Sequence, residues 1–466
     1  MRASLHASVL TRWSLTAAAC AFIAALGAAW PDAAAAASSR TPVVVAEVTA
    51  ANAGLSSADR AEKYAAMKAS PAAFFRGSSH LYWRDLGRAP QLSQYGGMVA
   101  TRTFLAGDQH VDNFGAFDDD QGDVVYALND FDQAVFGDYQ LDLWRAAISI
   151  ALVARENGFT ASQQAAAVDT FTEAYLDAMA SYASSSAETA VKITAANAYG
   201  ILDEFLAAAQ QQHSRAELLA SWTVLVSGVR RLDTAGNSQL APVTAAVDSD
   251  VRARMAAYRG TLSGGASFSS TYFTVKSVAQ RLHAGLGSLG SRRYYVLIEG
   301  PSSSQSDDRI LDFKEQAAAA AMPYVDAGAA AFTTWVCGGN EALRGVLAQK
   351  ALGYRVDDLL GHVTLADGKA YSVRERSPYK DSLATSELTT TTRLGNLAEQ
   401  WGSILATHHA RADRDWDASL LPGSLDAAID ARTDGDHAGV RALVRSIALD
   451  YADQVALDHA SFLASF

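Results

Sequence analysis

GDQHVDNFGAFDDDQGDVVYALNDFDQAVFGDYQLDLWRAA, residues 107–147, is the stretch whose reading decides the fold. Asp108 and Asn113 stand five apart on an expected loop, and the apolar strand VVYAL, residues 124–128, then delivers Asp130 and Asp132. Moving a phosphoryl group from a nucleotide to an alcohol asks for little covalent chemistry from a protein. It needs a carboxylate to orient the hydroxyl and oxygen ligands to hold magnesium against the phosphates. A loop followed by a strand that ends in aspartate supplies both from adjacent turns. Asp118, Asp119, Asp120 and Asp123 read instead as a solvated acidic turn. Behind the loop, Leu141, Trp144, Ile148 and Leu152 recur at helical spacing and predict an amphipathic helix.

Outward from this segment, a second one has the complementary chemistry. HAGLGSLGSRRYYVLIEG, residues 283–300, places Gly285, Gly287 and Gly290 in a turn between two expected strands, where backbone amides can approach phosphate oxygens. The spacing is that of G-x-G-x-x-G, but strand–turn–strand is the context of a kinase glycine loop rather than of a dinucleotide fold. After a polar loop, residues 301–309, the strand ILDFKEQ carries Lys314. That is where a lysine pairs with the α- and β-phosphates. Glu341 in the expected helix NEALRGVLAQKALG, or alternatively Glu315, is a candidate partner for Lys314. LLGHVTLADGKAYSVRER, residues 359–376, reads as a hairpin turning at Asp367-Gly368.

The Gly107-Asp108, Asn113, Asp130-Phe131, Gly137-Asp138 and Asp142-Leu143 series resembles the aminoglycoside phosphotransferase and choline kinase branch of the kinase-like fold. The resemblance implies Asp108 as catalytic base, Asn113 and Asp130 as metal ligands, and Asp142 as a brace for the loop. Asp132 joins the metal set as the next carboxylate on the same turn. Ala106 departs from the pattern, standing where that branch has histidine, and His110 inside the loop is either a phosphate-positioning group or a hydrogen-bonded loop residue. In ordinary kinases the glycine loop and lysine precede the catalytic loop, whereas here they follow it. The resemblance therefore implies a circular permutation, in which the helix ending ILATHHAR, residues 404–411, is the one that would run into the catalytic loop. His408 is expected in the core and His409 at the surface. Together FFRG, GDQHVDNFG, NDFDQA, GLGSLGSRRYYVLI, FKEQ and LATHHAR resemble the bacterial domain of unknown function 2252 family over roughly residues 60–460. Arg76 of FFRG is expected to meet phosphate or substrate, or to form a structural ion pair.

The 466 residues are enough for two lobes, and a composition half apolar with aromatics throughout is globular. A net charge of −12 argues against nucleic acid as a partner. Arg2 and Arg12, the apolar run Leu15 to Ala29 and the small residues Ala33 to Ala37 read as an export signal, too short to span a membrane. With Cys20 removed, only Cys337 would remain, so no intrachain disulfide is expected. The reading is an α+β, two-lobed, circularly permuted kinase-like fold: signal 1–37, a leader and aromatic segment 38–98, the catalytic-loop half and helices 99–260, a β-rich nucleotide lobe 261–380 and closing helices 381–466. Residues 38 to about 60 are expected as a mobile leader, and residues up to about 260 as long helices broken near Gly236. The function expected is Mg-ATP-dependent transfer, with Mn²⁺ as a possible substitute, to a hydroxyl on a small molecule or protein. A non-catalytic nucleotide sensor and adenylyl transfer are alternatives. A third, the two-metal phosphoesterase, rests on the Asp-x-His of GDQH with Asn129, Asp130, His408 and His409 as further ligands.

Overall fold

The computed structural model describes residues 33–466 except Ala266, Leu286 and Ser288, with side chains from Arg40 onward. The architecture is mixed α+β. A helical body packs beside a six-stranded antiparallel sheet, and three small two-stranded sheets complete the β structure of the described residues. Most of the proposed export signal, residues 1–32, lies outside the described residues. No helix among the described residues is long and apolar enough to cross a membrane.

The expected mobile leader is instead a helix, Ala33–Ala51. Val44 and Val48, four apart, are fully buried, and Arg40 pairs with Asp85 and Asp458. One apolar pair and one half-buried, ion-paired arginine help anchor a segment whose Ala/Ser/Thr composition gave no such signal. The helix that follows the acidic loops, Gln140–Glu156, is buried on all faces from Gln140 to Ala154, not on one stripe. It is sandwiched by Pro71–Gly77, Ala161–Tyr182 and His437–Ser465, which is the setting in which a helix loses its polar face. Thr391–Arg411 packs along Ala161–Tyr182 with Leu394, Leu397, Trp401 and Leu405 in the core, as its periodicity predicts.

In the large sheet the strands run in the order Gly361–Thr364, Ala370–Glu375, Arg309–Glu315, Arg293–Ile298, Val275–Arg281 and Leu240–Pro242. Strand alternation sends Tyr294, Val296 and Ile298 into one apolar cluster with Tyr258 and Phe313. Tyr295 and Leu297 enter another with Trp222 and Ile310. The β-rich region therefore begins well before residue 261. Helix Ala245–Arg259 covers the sheet, and a hairpin, Thr223–Val226 with Val229–Leu232, interrupts the expected helices. Ser227 and Gly228 both have positive φ, the signature of a two-residue hairpin turn. Conversely, the described residues of 261–274 form turns and bends rather than strand, and the strand starts at Val275.

Candidate functional site

The segment read as a catalytic loop is two nested antiparallel pairs. Arg102–Leu105 pairs with Val135–Asp138, and Phe114–Asp118 pairs with Val124–Leu128. The two connections between these pairs, residues 106–113 and 129–134, are thereby brought side by side. Gly107 makes their close approach possible. Its φ is +80°, and a Cβ there would lie 1.8 Å from the carbonyl oxygen of Gln133 in the opposite turn. Asp142, fully buried, accepts hydrogen bonds from the backbone N–H groups of Ala106 (2.7 Å) and Gly107 (3.1 Å). It thus braces the loop from the helix behind. His409 is fully buried rather than exposed: its Nε2 lies 3.5 Å from Asp142 and its Nδ1 is 2.8 Å from the Tyr175 hydroxyl.

Asp108 is gripped by Arg145, whose Nε donates to Oδ1 at 2.6 Å and whose Nη2 donates to the same oxygen. Oδ2 is left to face a ligand, with His110 at 3.8 Å. Burial pushes the Asp108 carboxyl above its ordinary range, against the opposing charge and hydrogen bonds of Arg145. Arg145 in turn stacks on Phe75 (4.2 Å) and Tyr82 (5.0 Å), so the aromatic segment 71–87 holds the group that holds the catalytic candidate. Sequence reasoning missed Arg145. The available signal was an arginine inside an apolar helix, one turn after Asp142. Asn113 donates from Nδ2 to the Asp108 carbonyl oxygen at 2.7 Å, which leaves its amide oxygen as a possible ligand. His110 is held well below its ordinary value by burial and by the Arg76 and Arg145 charges, so it stays neutral.

Across the cleft, the third strand of the meander presents Asp312 and Lys314. Their cross-strand neighbours Arg374, Tyr295, Arg293 and Ser372 share that face of the sheet. Arg293 and Asp312 form a two-pronged ion pair, with one contact at 2.7 Å. Lys314 reaches the opposite wall: its ammonium contacts Asp132 and lies 3.5 Å from Asp130. Burial alone would raise Asp130, but Lys314, Arg374 and the Asp132 N–H hold it well below the usual carboxylate range. Neither sequence-proposed glutamate meets Lys314. The Glu341 carboxylate is taken by Arg344 at 2.7 Å and lies outside the cleft, and Glu315 pairs with Lys369 at 3.3 Å. The sheet register directs Lys314 toward the acidic turn, and Glu341 points along its own helix.

One cleft of about 810 Å³ is lined by Asp108, Asn113, Asp130, Asp132, Gly285, Gly287 and Lys314. Gly290 lies beside it with φ +90°, against Leu55 of the N-terminal segment. The cleft also takes in Lys63, Arg76, His80, Arg374 and Arg376, which the sequence did not single out together. Asp130, Asp132 and Asn113 offer only oxygen donors, and the two carboxylates already converge on a cationic nitrogen. That donor set fits Mg²⁺ or Mn²⁺ better than a softer metal. His408 and His409, invoked for a two-metal phosphoesterase, do not line the cleft. His408 bonds the Ile404 carbonyl and faces a separate cavity of about 370 Å³. Asp119, expected in a solvated turn, is buried and accepts the N–H groups of Gln121 and Asp123. Glu173, Asp177 and His437 form a group of possible metal donors elsewhere, but Arg441 already pairs with Glu173.

Fold and cleft together define an α+β protein in which an acidic double turn faces a glycine–lysine sheet. The chain belongs to the bacterial family described as "Uncharacterized protein conserved in bacteria (DUF2252)", whose profile matches residues 58–465. No curated protein and no solved structure matches the chain.

Proposed function

We propose that the protein is a Mg-ATP-dependent phosphotransferase acting on a hydroxyl, built on a circularly permuted, two-lobed kinase-like fold. The observation that carries this is the meeting of Lys314 with Asp130, 184 positions apart in the chain, in a cleft that also holds Asp108, Asn113 and the glycine turn. The permutation is supported where Ala412, just past the helix ending in LATHHAR, accepts a 2.7 Å hydrogen bond from Thr103. That helix thus ends against the strand that enters the catalytic loop. The glycine turn between the first and second strands of a meander, with the lysine on the third, is the order kinases use.

In this reading Asp108 Oδ2 orients the acceptor hydroxyl and receives its proton. The acceptor oxygen bonds to the γ-phosphorus as the bond to the bridging oxygen breaks, and ADP departs. Arg145 fixes the Asp108 carboxylate from its other oxygen, so it need not reorganise during the step. Asn113, Asp130 and Asp132 would hold the magnesium, which when bound neutralises charge on the phosphates. Lys314 would leave Asp130 and Asp132 for the α- and β-phosphates. That same contact favours a second reading, a nucleotide sensor in which Lys314 stays on the metal carboxylates and no turnover follows. We also propose that residues 1–37 direct export, so the nucleotide would have to be met outside the cytoplasm or before transit.

The test follows melting and products together, for the chain with ATP and Mg²⁺ or Mn²⁺ beside Asp130→Ala. Stabilisation and turnover that both vanish in the variant are expected, with ADP as product; AMP would instead name adenylyl transfer. Stabilisation without product selects the sensor, and no stabilisation by any nucleotide overturns both.

A further inference from the structure

The walls of the cleft divide their basic side chains into two sets. Arg293, Lys314, Arg374 and Arg376 stand on the sheet side, where the glycine turn places a nucleotide's phosphates. Lys63, Arg76 and His80 stand on the other side, around Asp108, on three consecutive N-terminal helices, Ser57–Met67, Pro71–Gly77 and Ser79–Leu86. This second set has donors without partners. Lys63 is only 8 % exposed, yet it makes no hydrogen bond or ion pair among the described residues. The Nε of Arg76 and the Nε2 of His80 are both buried and unpartnered, although Arg76 Nη1 reaches Asp112 at 3.4 Å. His110 Nδ1 and Arg145 Nη1 add two more buried nitrogens without partners at the same end.

Buried polar groups are nearly always satisfied, and each exception calls for a physical reason. Four buried nitrogens without hydrogen-bond partners and the Lys63 ammonium gather at the Asp108 end of the cleft, and an anionic group entering there would meet them. We propose that the acceptor molecule carries an anionic group, a phosphate ester or a carboxylate, beside its reacting hydroxyl, and that Lys63, Arg76 and His80 bind that group. The inference rests on the phosphotransferase reading of the same cleft and narrows its acceptor to small hydroxy-anions. The electrostatics agree. Burial lowers Lys63 against the pull of Asp108, and burial, Lys63 and Arg145 bring His80 down to about 4. An entering anion would relieve the crowding of like charge, while Asp108 receives the hydroxyl and not the anion, because like charges repel.

Titration calorimetry of the full chain with sn-glycerol 3-phosphate, D-glycerate and glycerol tests this. Both anions should bind and glycerol should give no heat. Affinity should fall about tenfold or more in Lys63→Met, the size expected for a lost charge-assisted hydrogen bond. It should persist in Lys63→Arg and in Lys314→Met. Lys63→Met should also melt no lower than the parent, since burial already disfavours the Lys63 charge; this separates lost binding from lost fold. Binding of the phosphate ester alone would assign the site to phosphate esters, and of glycerate alone to carboxylates. Anion affinity unchanged in Lys63→Met, anion affinity lost only in Lys314→Met, or glycerol binding as tightly as the anions would each overturn the inference. Lys63-dependent anion binding without any Mg-ATP binding would leave the anion site standing and sink the phosphotransferase reading instead.

Discussion

The two halves of the cleft are built on opposite principles. The acidic half, residues 102–138, is locked from behind. Asp142 ties down two backbone amides, Arg145 clamps Asp108, and Gly107 lets two turns approach to a distance no side chain would allow. The glycine half is more open around Gly287. A Cβ there would meet nothing within 4 Å, while contacts of the described turn residues include a half-exposed His283–Glu62 pair at 2.8 Å and Gly290 against Leu55. The contrast teaches that the groups which would act on a hydroxyl are pre-positioned, while the groups which would cover phosphates have room to adapt. A site that must fix geometry and also admit a large ligand needs both.

Alanine at the two glycines breaks or sharpens that contrast most directly. Gly107→Ala combines a left-handed backbone with a Cβ 1.8 Å from the Gln133 carbonyl oxygen. It should cost about 4 kcal/mol or more in urea unfolding, in the range kept for strain at special positions. A loss under about 1 kcal/mol would show that the double turn is not locked.

A middle-sized effect concerns a carboxylate of the sheet half. Asp357 accepts the N–H groups of Leu359 (2.8 Å) and Glu375 (2.5 Å), much as Asp142 accepts two amides. Its neighbours, however, are acidic. Burial, Glu375 and Asp118 push it up to about 7. Because its folded value lies above the ordinary value of about 4, its contribution to stability is complete below pH ~4 and is lost as pH rises to about 7. The stability of the parent relative to Asp357→Asn should therefore decline over that window and level off above it. A difference that is flat with pH would refute the assignment.

Gly287→Ala is the small effect. With open space around it, stability should change by less than about 0.5 kcal/mol, while ATP affinity weakens because a methyl group obstructs phosphate approach. A large loss of stability would mean the turn is packed after all.

Much of this was legible in the chain because the relevant signals are local. VVYAL, YYVLI and ILDFK announce themselves as strands, and the Asp108–Asn113 and Asp130–Asp132 groups lie on the turns their spacing predicts. What stayed hidden depends on partners far away in sequence. Arg145 gains its role from Phe75 and Tyr82, and His409 from Asp142. Lys314 finds Asp132 rather than Glu341, because sheet register and not helix proximity aims its side chain. The leader helix was hidden for a similar reason, since Val44, Val48, Arg40, Thr41 and Glu47 tie it to partners far away in sequence. The hairpin at Ser227-Gly228 is different: its signal was local, a Ser-Gly turn between the strand-favouring runs TVLV and VRRL.

The central claim is that the two halves form one nucleotide site, and a double-mutant cycle on binding tests it. Calorimetric titration of Mg²⁺ with a non-hydrolysable ATP analogue would compare the parent, Asp130→Ala, Lys314→Met and the double variant. One site predicts that each single change removes most of the affinity and that the double variant loses little more. Fully additive losses, or a parent that binds no nucleotide, would contradict it.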